Sequence, residues 1–522
     1  MSNSRDKHDP PTGHEPARQR RQFCGRLGAA GAAMLVGAAG GAAAQGGGEK
    51  ARPSAAMVYD VRSFGATGGG KNDTAALQAA IDACTAAGGG VVHVPPGLYP
   101  ASTLFMKDNV TLQLAPNATI KAVPDHDAYP ERALIFADGA QNVAVVGQGT
   151  IDGTSPAFPP GGFRPQALRI FRSRHILVEG VTIRECPSWT VHLCGCDYAN
   201  VRGVTILNDI EQVNSDGINP NCCRHVHISD CHLVCGDDCI AVKSTDYLGE
   251  KRPCEGVTVT NCTLVTKKTA LKIGTETHDD IRDCTFSNIA IRGSARGIGI
   301  WMRDGGTIEK LSFSNITMDL REFPGEDMSG EPIRITLRQR TEESAWGRIR
   351  DVRISGLTVR APGRCIIEGR EGHEIEAISI SDSRFIIDKH LEREQEIHAF
   401  ESQDVRGLSL HNVEVAWRGE PSAHWRSAMD CQQVTELHLD GFTARQGAAD
   451  RSVPAVRLEN CRDVFARGCQ ASEGTGTFLR VEGGKTRSVV LMGSDLHRAD
   501  RAVDVAEGVP AAEVHQSGNR VK

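Results

Sequence analysis

From about Val58 onward the chain alternates apolar and polar residues in short bursts, and the bursts share one pattern. Each runs apolar, x, apolar, x, then Asn, Asp or Gly, then a small or apolar residue, x, apolar. It reads Ile176-Val178-Gly180-Val181-Ile183, Val226-Ile228-Asp230-Cys231-Leu233 and Val257-Val259-Asn261-Cys262-Leu264 in one stretch. It returns as Leu311-Phe313-Asn315-Ile316-Met318, Val352-Ile354-Gly356-Leu357-Val359, Ile378-Ile380-Asp382-Ser383-Phe385 and Leu408-Leu410-Asn412-Val413-Val415. Further copies begin at Leu437 and Val489, and the step is mostly about 22–31 residues, in the range of stacked-repeat folds.

Alternation with period two predicts strand. The break falls on residues that tolerate left-handed backbone angles, so the chain turns there. Two short strands hinged at one turning residue, repeated at this step, predict the rungs of a parallel β-helix. Side chains that face inward then stack rung on rung, and ladders of Asn, Val, Ile and Cys are expected. A leucine-rich solenoid would need helical or Leu-rich segments that are absent, and an antiparallel sandwich needs no such constant signature.

The start of the fold has a different period. Residues 73–87 place Ala, Leu and Ile at helical spacing, with Asp73-Thr74 as a start signal and Gly88-Gly89-Gly90 as a stop. Val91-Val92-His93-Val94 then reads as a strand running into the turn Pro95-Pro96-Gly97. A helix here is expected to cap the open end of the solenoid, which would otherwise expose apolar interior and strand edge.

Composition narrows the picture. The 522 residues include 56 Gly and only 5% aromatics, which suits many short strands and tight turns. A net charge of −6 offers no electrostatic footprint for nucleic acid. Residues 1–45 read as an export signal: Arg20-Arg21-Gln22-Phe23 precedes an Ala/Gly-rich apolar run ending in Ala42-Ala43-Ala44. The paired arginines resemble a twin-arginine signal, so a periplasmic or secreted product is expected. Residues 46–56 are expected to be a flexible linker and 57–522 the catalytic domain, with its cap over 57–100. A twin-arginine substrate folds before export in a reducing compartment, so the seventeen cysteines are read as small buried thiols. A metal cluster at Cys231, Cys235 and Cys239 is disfavoured by its spacing.

Asp60-Val61-Arg62-Ser63-Phe64-Gly65-Ala66, the Asn72-Asp73-Thr74 start and Val94-Pro95-Pro96-Gly97 with Tyr99 resemble the cap of the pectate-lyase-like superfamily. That resemblance implies a right-handed, single-stranded parallel β-helix acting on polysaccharide. The fold class expected is therefore all-β, a right-handed parallel β-helix with an N-terminal capping helix.

Two segments stand apart from the repeat: Asn214-Ser215-Asp216-Gly217-Ile218 and Gly236-Asp237-Asp238-Cys239-Ile240-Ala241-Val242-Lys243-Ser244. Asp216 and Asp238 lie 22 residues apart, about one rung, so their strands would be neighbours at ~4.8 Å. Three carboxylates then share one patch, and mutual repulsion keeps a proton on at least one of them. One protonated carboxyl beside ionised ones is what glycoside cleavage needs. Turn formation and calcium binding are the alternatives for such acids, but Asp237 and Asp238 sit in an apolar strand pattern where ionised pairs are costly.

These segments resemble the Asn-Thr-Asp and Gly-Asp-Asp motifs of glycoside hydrolase family 28, the polygalacturonase family, with Ser215 in place of Thr. The resemblance implies an inverting hydrolase in which Asp237 is the acid while Asp216 and Asp238 position and activate water. It also implies a histidine one rung on and an Arg-Ile-Lys motif a rung further, which helps to hold a sugar carboxylate. Here Thr269 stands at the first, and Gly299 and Trp301 at the Arg and Lys. Lys243, Lys272 and Arg303 are candidates to supply positive charge to a uronate, Trp301 to stack on a sugar, and Asn214 to contact substrate. The expected substrate is an acidic, pectin-like polysaccharide or oligosaccharide, with rhamnogalacturonan or a modified galacturonan preferred to plain homogalacturonan. No cofactor, metal or nucleic acid is expected, nor a membrane span after cleavage, and the chain is expected to act as a monomer. A calcium-dependent lyase on the same scaffold and a non-catalytic carbohydrate-binding solenoid are the competing functions. Loops over 152–165 and 322–331 are expected to shape the groove.

Overall fold

The computed structural model describes residues 57–326, 330–389 and 396–522. The expected export signal and linker lie outside the described residues, as does part of the 322–331 loop. Among the described residues thirty-nine strands join one sheet, and the pairing is parallel wherever the repeat runs. Val226 sits between Ala199 on one rung and Val257 on the next, Leu311 between Cys284 and Val352, and Ile378 between Val352 and Leu408. Such register over so many turns is a right-handed parallel β-helix.

The hinges are where the pattern placed them. Asp230, Asn261, Asn315, Gly356, Asp382 and Asn412 take φ of 59°, 54°, 52°, 64°, 49° and 51°, single left-handed residues that bend one strand into the next. The ladder they form is on the outside, however, not in the stack as the pattern suggested for Asn. Asn261 and Asn412 are exposed, and each reaches back one rung: Asn261 Nδ2 donates to Asp230 Oδ1 at 2.5 Å and Asn412 Nδ2 to Asp382 Oδ1 at 2.8 Å. A carboxamide turned into an apolar bore would lose its water without gaining full partners, so the turning side chain faces solvent.

Inside, Val, Ile, Leu, Cys and Phe stack in register, with the Phe286 and Phe313 rings parallel at 4.7 Å. The sixteen described cysteines are free and buried. Thiols such as Cys231 and Cys262 donate to carbonyls of their own strands, Ser229 and Thr260, at 3.2 Å each, as small core residues do.

The helix spans Thr74–Ala86 and buries Leu77, Ala80, Ile81 and Cys84 against the first rungs. Its start differs in detail from the expected Asp73 cap. The Asp73 carboxylate accepts from Thr67 N at 2.8 Å and Gly68 N at 3.1 Å, pinning the preceding loop, while Asn72 Oδ1 takes Thr74 N at 3.0 Å. Past the helix, any side chain at Gly89 would put its Cβ 2.4 Å from that of Asn109, so the return to the sheet requires glycine. No helix among the described residues is long and apolar enough to cross a membrane.

One face of the solenoid carries the two segments that depart from the repeat. Its successive strands include Val191–Cys194, Ile218–Asn221, Ile240–Ser244, Thr269–Thr277, Arg296–Met302 and Glu331–Leu337.

Candidate active site

Ile218 pairs with Ile240, Ile240 with Leu271, Leu271 with Ile298 and Ile298 with Ile333. Two residues before each stand Asp216, Asp238, Thr269, Arg296 and Glu331, one per rung. The column is bonded along its length. Gly217 N donates to Asp238 O at 2.9 Å, Thr269 N to Asp238 Oδ1 at 3.1 Å and Arg296 Nη1 to Thr269 Oγ1 at 2.9 Å. Arg296 Nε lies 3.8 Å from Glu331 Oε2. Stacking therefore brings together acids that are distant along the chain.

Asp216 is buried and its Oδ2 accepts from Asn219 Nδ2 at 2.8 Å. Asp237, half-buried, is the most open of the three acids. Its Oδ1 accepts from Asp238 N at 2.9 Å and its Oδ2 from Asn214 N at 3.2 Å. Asp238 is buried, and Lys272 Nζ sits 3.3 Å from its Oδ2.

These surroundings split the trio. Burial pushes the Asp216 carboxyl well above the usual carboxylate range, and the neighbouring Asp237 adds to the rise. Burial and then the charge of Asp238 raise Asp237. Burial also opposes ionisation of Asp238, but Lys272, Lys243, Arg296 and the Thr269 N–H outweigh it and hold the group below its ordinary value. Burial thus favours the protonated form of Asp216 and Asp237, and the nearby cations favour the charged form of Asp238.

Lys243 and Lys272, expected to meet a uronate, are engaged within the protein. Lys243 Nζ pairs with Glu276 Oε2 at 3.0 Å and lies 5.0 Å from the centre of the Trp189 ring. Burial raises the Glu276 carboxyl, yet Lys243 and Arg340 win and bring it down to about 2. Besides its bond to Asp238, Lys272 is covered by the Trp301 indole, whose centre is 3.7 Å from Nζ. A register shift between Val242 and Ser244 lies beside Lys243, as irregularities often do where a strand must re-aim a side chain. Asn214 is at the cluster, its backbone on Asp237 and its Oδ1 accepting from Arg164 Nη2 at 2.7 Å. Arg303 follows the end of its strand, where its N donates to Thr277 Oγ1 at 3.0 Å; the cations acting most strongly on the acids are Lys272, Lys243, Lys268 and Arg296.

Several participants escaped the sequence pattern. Arg296 is buried beside the acids, bonding Thr269 and reaching within 5.3 Å of the Trp301 ring centre. Its signal was present, because it precedes Ile298 by the same two residues that separate Asp238 from Ile240. Arg164, from the 152–165 loop, and Glu276 had no such signal. Of the nearby histidines, His192 is buried between Gln166 Oε1 at 3.1 Å and Asn221 Nδ2 at 3.2 Å, and burial pushes it well below its usual range. His225, His227 and His232 face outward.

Lys272 occupies one side of the Asp238 carboxylate, at 3.3 Å from Oδ2. The arrangement offers a carboxyl partly open to the surface, a buried carboxyl beside it and cations that keep the two apart in charge.

Fold and acid set together define a right-handed parallel β-helix with a cluster of three carboxyls on one face. The chain belongs to glycosyl hydrolases family 28, whose sequence model matches residues 84–382. A probable polygalacturonase of Vitis vinifera is 28% identical over 291 residues, covering 49% of this chain and 59% of that protein. A polygalacturonase of Malus domestica is 27% identical over 290 residues, covering 51% and 60%. The chain thus spans about three fifths of the length of these relatives. Among solved structures, an exopolygalacturonase from Thermotoga maritima superposes with a TM-score of 0.60 at 23% identity, covering 70% of this chain and 92% of that one. The fold is shared.

Proposed function

We propose that the protein is an inverting glycoside hydrolase of pectin-type acidic polysaccharides or their oligosaccharides. One observation supports this reading: three acids meet on neighbouring rungs, where burial favours the protonated form of Asp216 and Asp237 while Lys272 favours the charged form of Asp238. Family membership and the polygalacturonase relatives support the substrate class.

In this reading Asp237, the open acid, gives its proton to the glycosidic oxygen as the bond to the anomeric carbon breaks. A water held by Asp238 and Asp216 attacks the opposite face, its proton passes to the base side, and the free sugar leaves with inverted configuration. Lys272 keeps Asp238 ionised for that task, and Lys243 with Glu276 fixes the floor of the site. Asn214, Trp301 and Arg303 are the proposed sugar contacts. The chain is proposed to be exported through its twin-arginine signal and to work as a monomer.

Asp237→Asn and Asp238→Asn should each lower kcat on a pectic oligosaccharide by about 10²–10⁴-fold, the usual worth of a positioned acid or base. Proton NMR of the fresh product should show the inverted anomer, and no ultraviolet-absorbing double bond should appear. Wild-type rates in either variant, or unsaturated product, would refute the mechanism.

A further inference from the structure

On the two rungs that follow Thr269, the column of the acids continues with Arg296, 3% exposed, and Glu331, 4% exposed. A buried ion pair adds little stability over apolar residues of the same volume, so stability alone does not account for this one. Arg296 is fixed at both ends. Its backbone N donates to Lys268 O at 2.9 Å, its Nη1 donates to Thr269 Oγ1 at 2.9 Å, and its Nε lies 3.8 Å from Glu331 Oε2. Glu331 is held from its far side, where Arg334 Nη1 meets Oε1 at 2.7 Å. Toward the acids, Thr269 N donates to Asp238 Oδ1 at 3.1 Å and Thr269 O accepts from Cys239 N at 3.1 Å. The result is a line Arg334, Glu331, Arg296, Thr269, Asp238 in which the sign of the charge alternates.

What flanks Arg296 explains why it needs a counter-charge. Lys272 Nζ and the Arg296 guanidinium lie against the same Trp301 indole, 3.7 and 5.3 Å from its ring centre. Burial disfavours the Lys272 ammonium, Asp238 opposes that effect, and the charges of Lys243 and Arg296 add to it. Two cations so placed repel. A carboxylate behind Arg296 keeps the guanidinium at Thr269 against that repulsion.

We infer that Glu331 is a positioning residue for the proposed hydrolysis: it fixes Arg296 against Thr269 and, through that rung, holds the Asp238 carboxylate in place as the base. Glu331 stands three rungs from Asp238 and acts through the residues between them. The inference rests on the hydrolase reading and adds to it a control that the acids alone do not contain. By its own charge Glu331 would do the opposite, since one carboxylate disfavours ionisation of another. The two roles therefore carry opposite signs. The charged groups facing Asp238 are Lys272, Lys243, Arg296, Asp237 and Asp216. Those facing Glu331 are Arg334, Arg296 and Arg364, which oppose the rise that burial gives its carboxyl.

The test is a double-mutant cycle in the full chain. Carboxyl-carbon NMR of aspartate-labelled protein follows the ionisation of Asp238 without substrate, its signal assigned by loss in Asp238→Asn. Kinetics are followed on a pectic oligosaccharide. In Arg296→Met the Asp238 transition and the acidic limb of kcat should both move upward in pH. At the wild-type optimum kcat should fall about tenfold, with KM changed by less than about twofold. Glu331→Gln should move both readings upward as well, and adding it to Arg296→Met should have no further effect. Lost packing alone would lower the thermal midpoint and leave the pH readings where they are. A downward or absent movement in Glu331→Gln, or full additivity in the double variant, would overturn the positioning role. Should the glutamine variant not fold, Glu331→Asp keeps the charge and draws it back by one methylene. It should give a smaller upward movement, and an unmoved transition there would overturn the role equally. If the wild type cleaves no pectic substrate, the hydrolase reading falls, while the NMR titration still decides what Glu331 does.

Discussion

At the scale of single residues, the proposed chemistry needs two neighbouring carboxyls in opposite states, and Lys272 is the cation that most favours the split. It lowers the Asp238 carboxyl directly and also acts on Asp237 in the same direction. Removing its charge lets burial dominate, so the group that must be ionised takes up its proton at a higher pH. In Lys272→Met the acidic limb of the kcat/KM profile should therefore move upward in pH, with a fall of at least about tenfold at the wild-type optimum; an unmoved limb would show that Lys272 has no part in the ionisation. Asp216 and Asp238 were legible in the sequence because their spacing matches one rung. Arg296 obeys the same arithmetic but lies three residues before the position at which the family motif directs attention. Glu276 and Arg164 were not legible, since a loop or a strand end has no period from which to infer what it meets.

At the scale of elements, each rung owes its stability to its neighbours and hardly to itself. Phe286 and Phe313 lie parallel on adjacent rungs, both fully buried. Phe313→Ala should cost about 3–5 kcal/mol by lost transfer and the cavity left behind, seen as a lower thermal midpoint with the acid cluster's kinetics intact at low temperature. The alternation of the repeat revealed the inward position of Phe313 correctly, as it did the hinge at Asn315. It could not say which side the hinge side chain takes, because a left-handed residue interrupts the period that assigns sides. Hence Asn261 and Asn412 lie outside the stack. The helix start shows a similar limit: Asn72 and Asp73 both fit a cap, and only the path of the preceding loop decides that Asp73 serves Thr67 and Gly68.

At the scale of the molecule, the described cysteines are distributed along the bore and carry no cross-links. Burial raises the thiols of Cys186 and Cys284 to about 12, so they stay protonated and shielded. A thiol reagent such as DTNB should leave all sixteen described cysteines unmodified in the native protein and label them in denaturant. Rapid labelling under native conditions would mean that the bore opens far more readily than its packing implies.

The order of the rungs has a further consequence. The acids lie toward the end closed by the helix, and the last short strand toward the opposite terminus is Val514–Ser517. A solenoid held by nearest-neighbour contacts melts inward from its ends. Gentle heating should then loosen the turns near that terminus first, so that a protease nicks the chain late in its sequence while the acid cluster is still assembled.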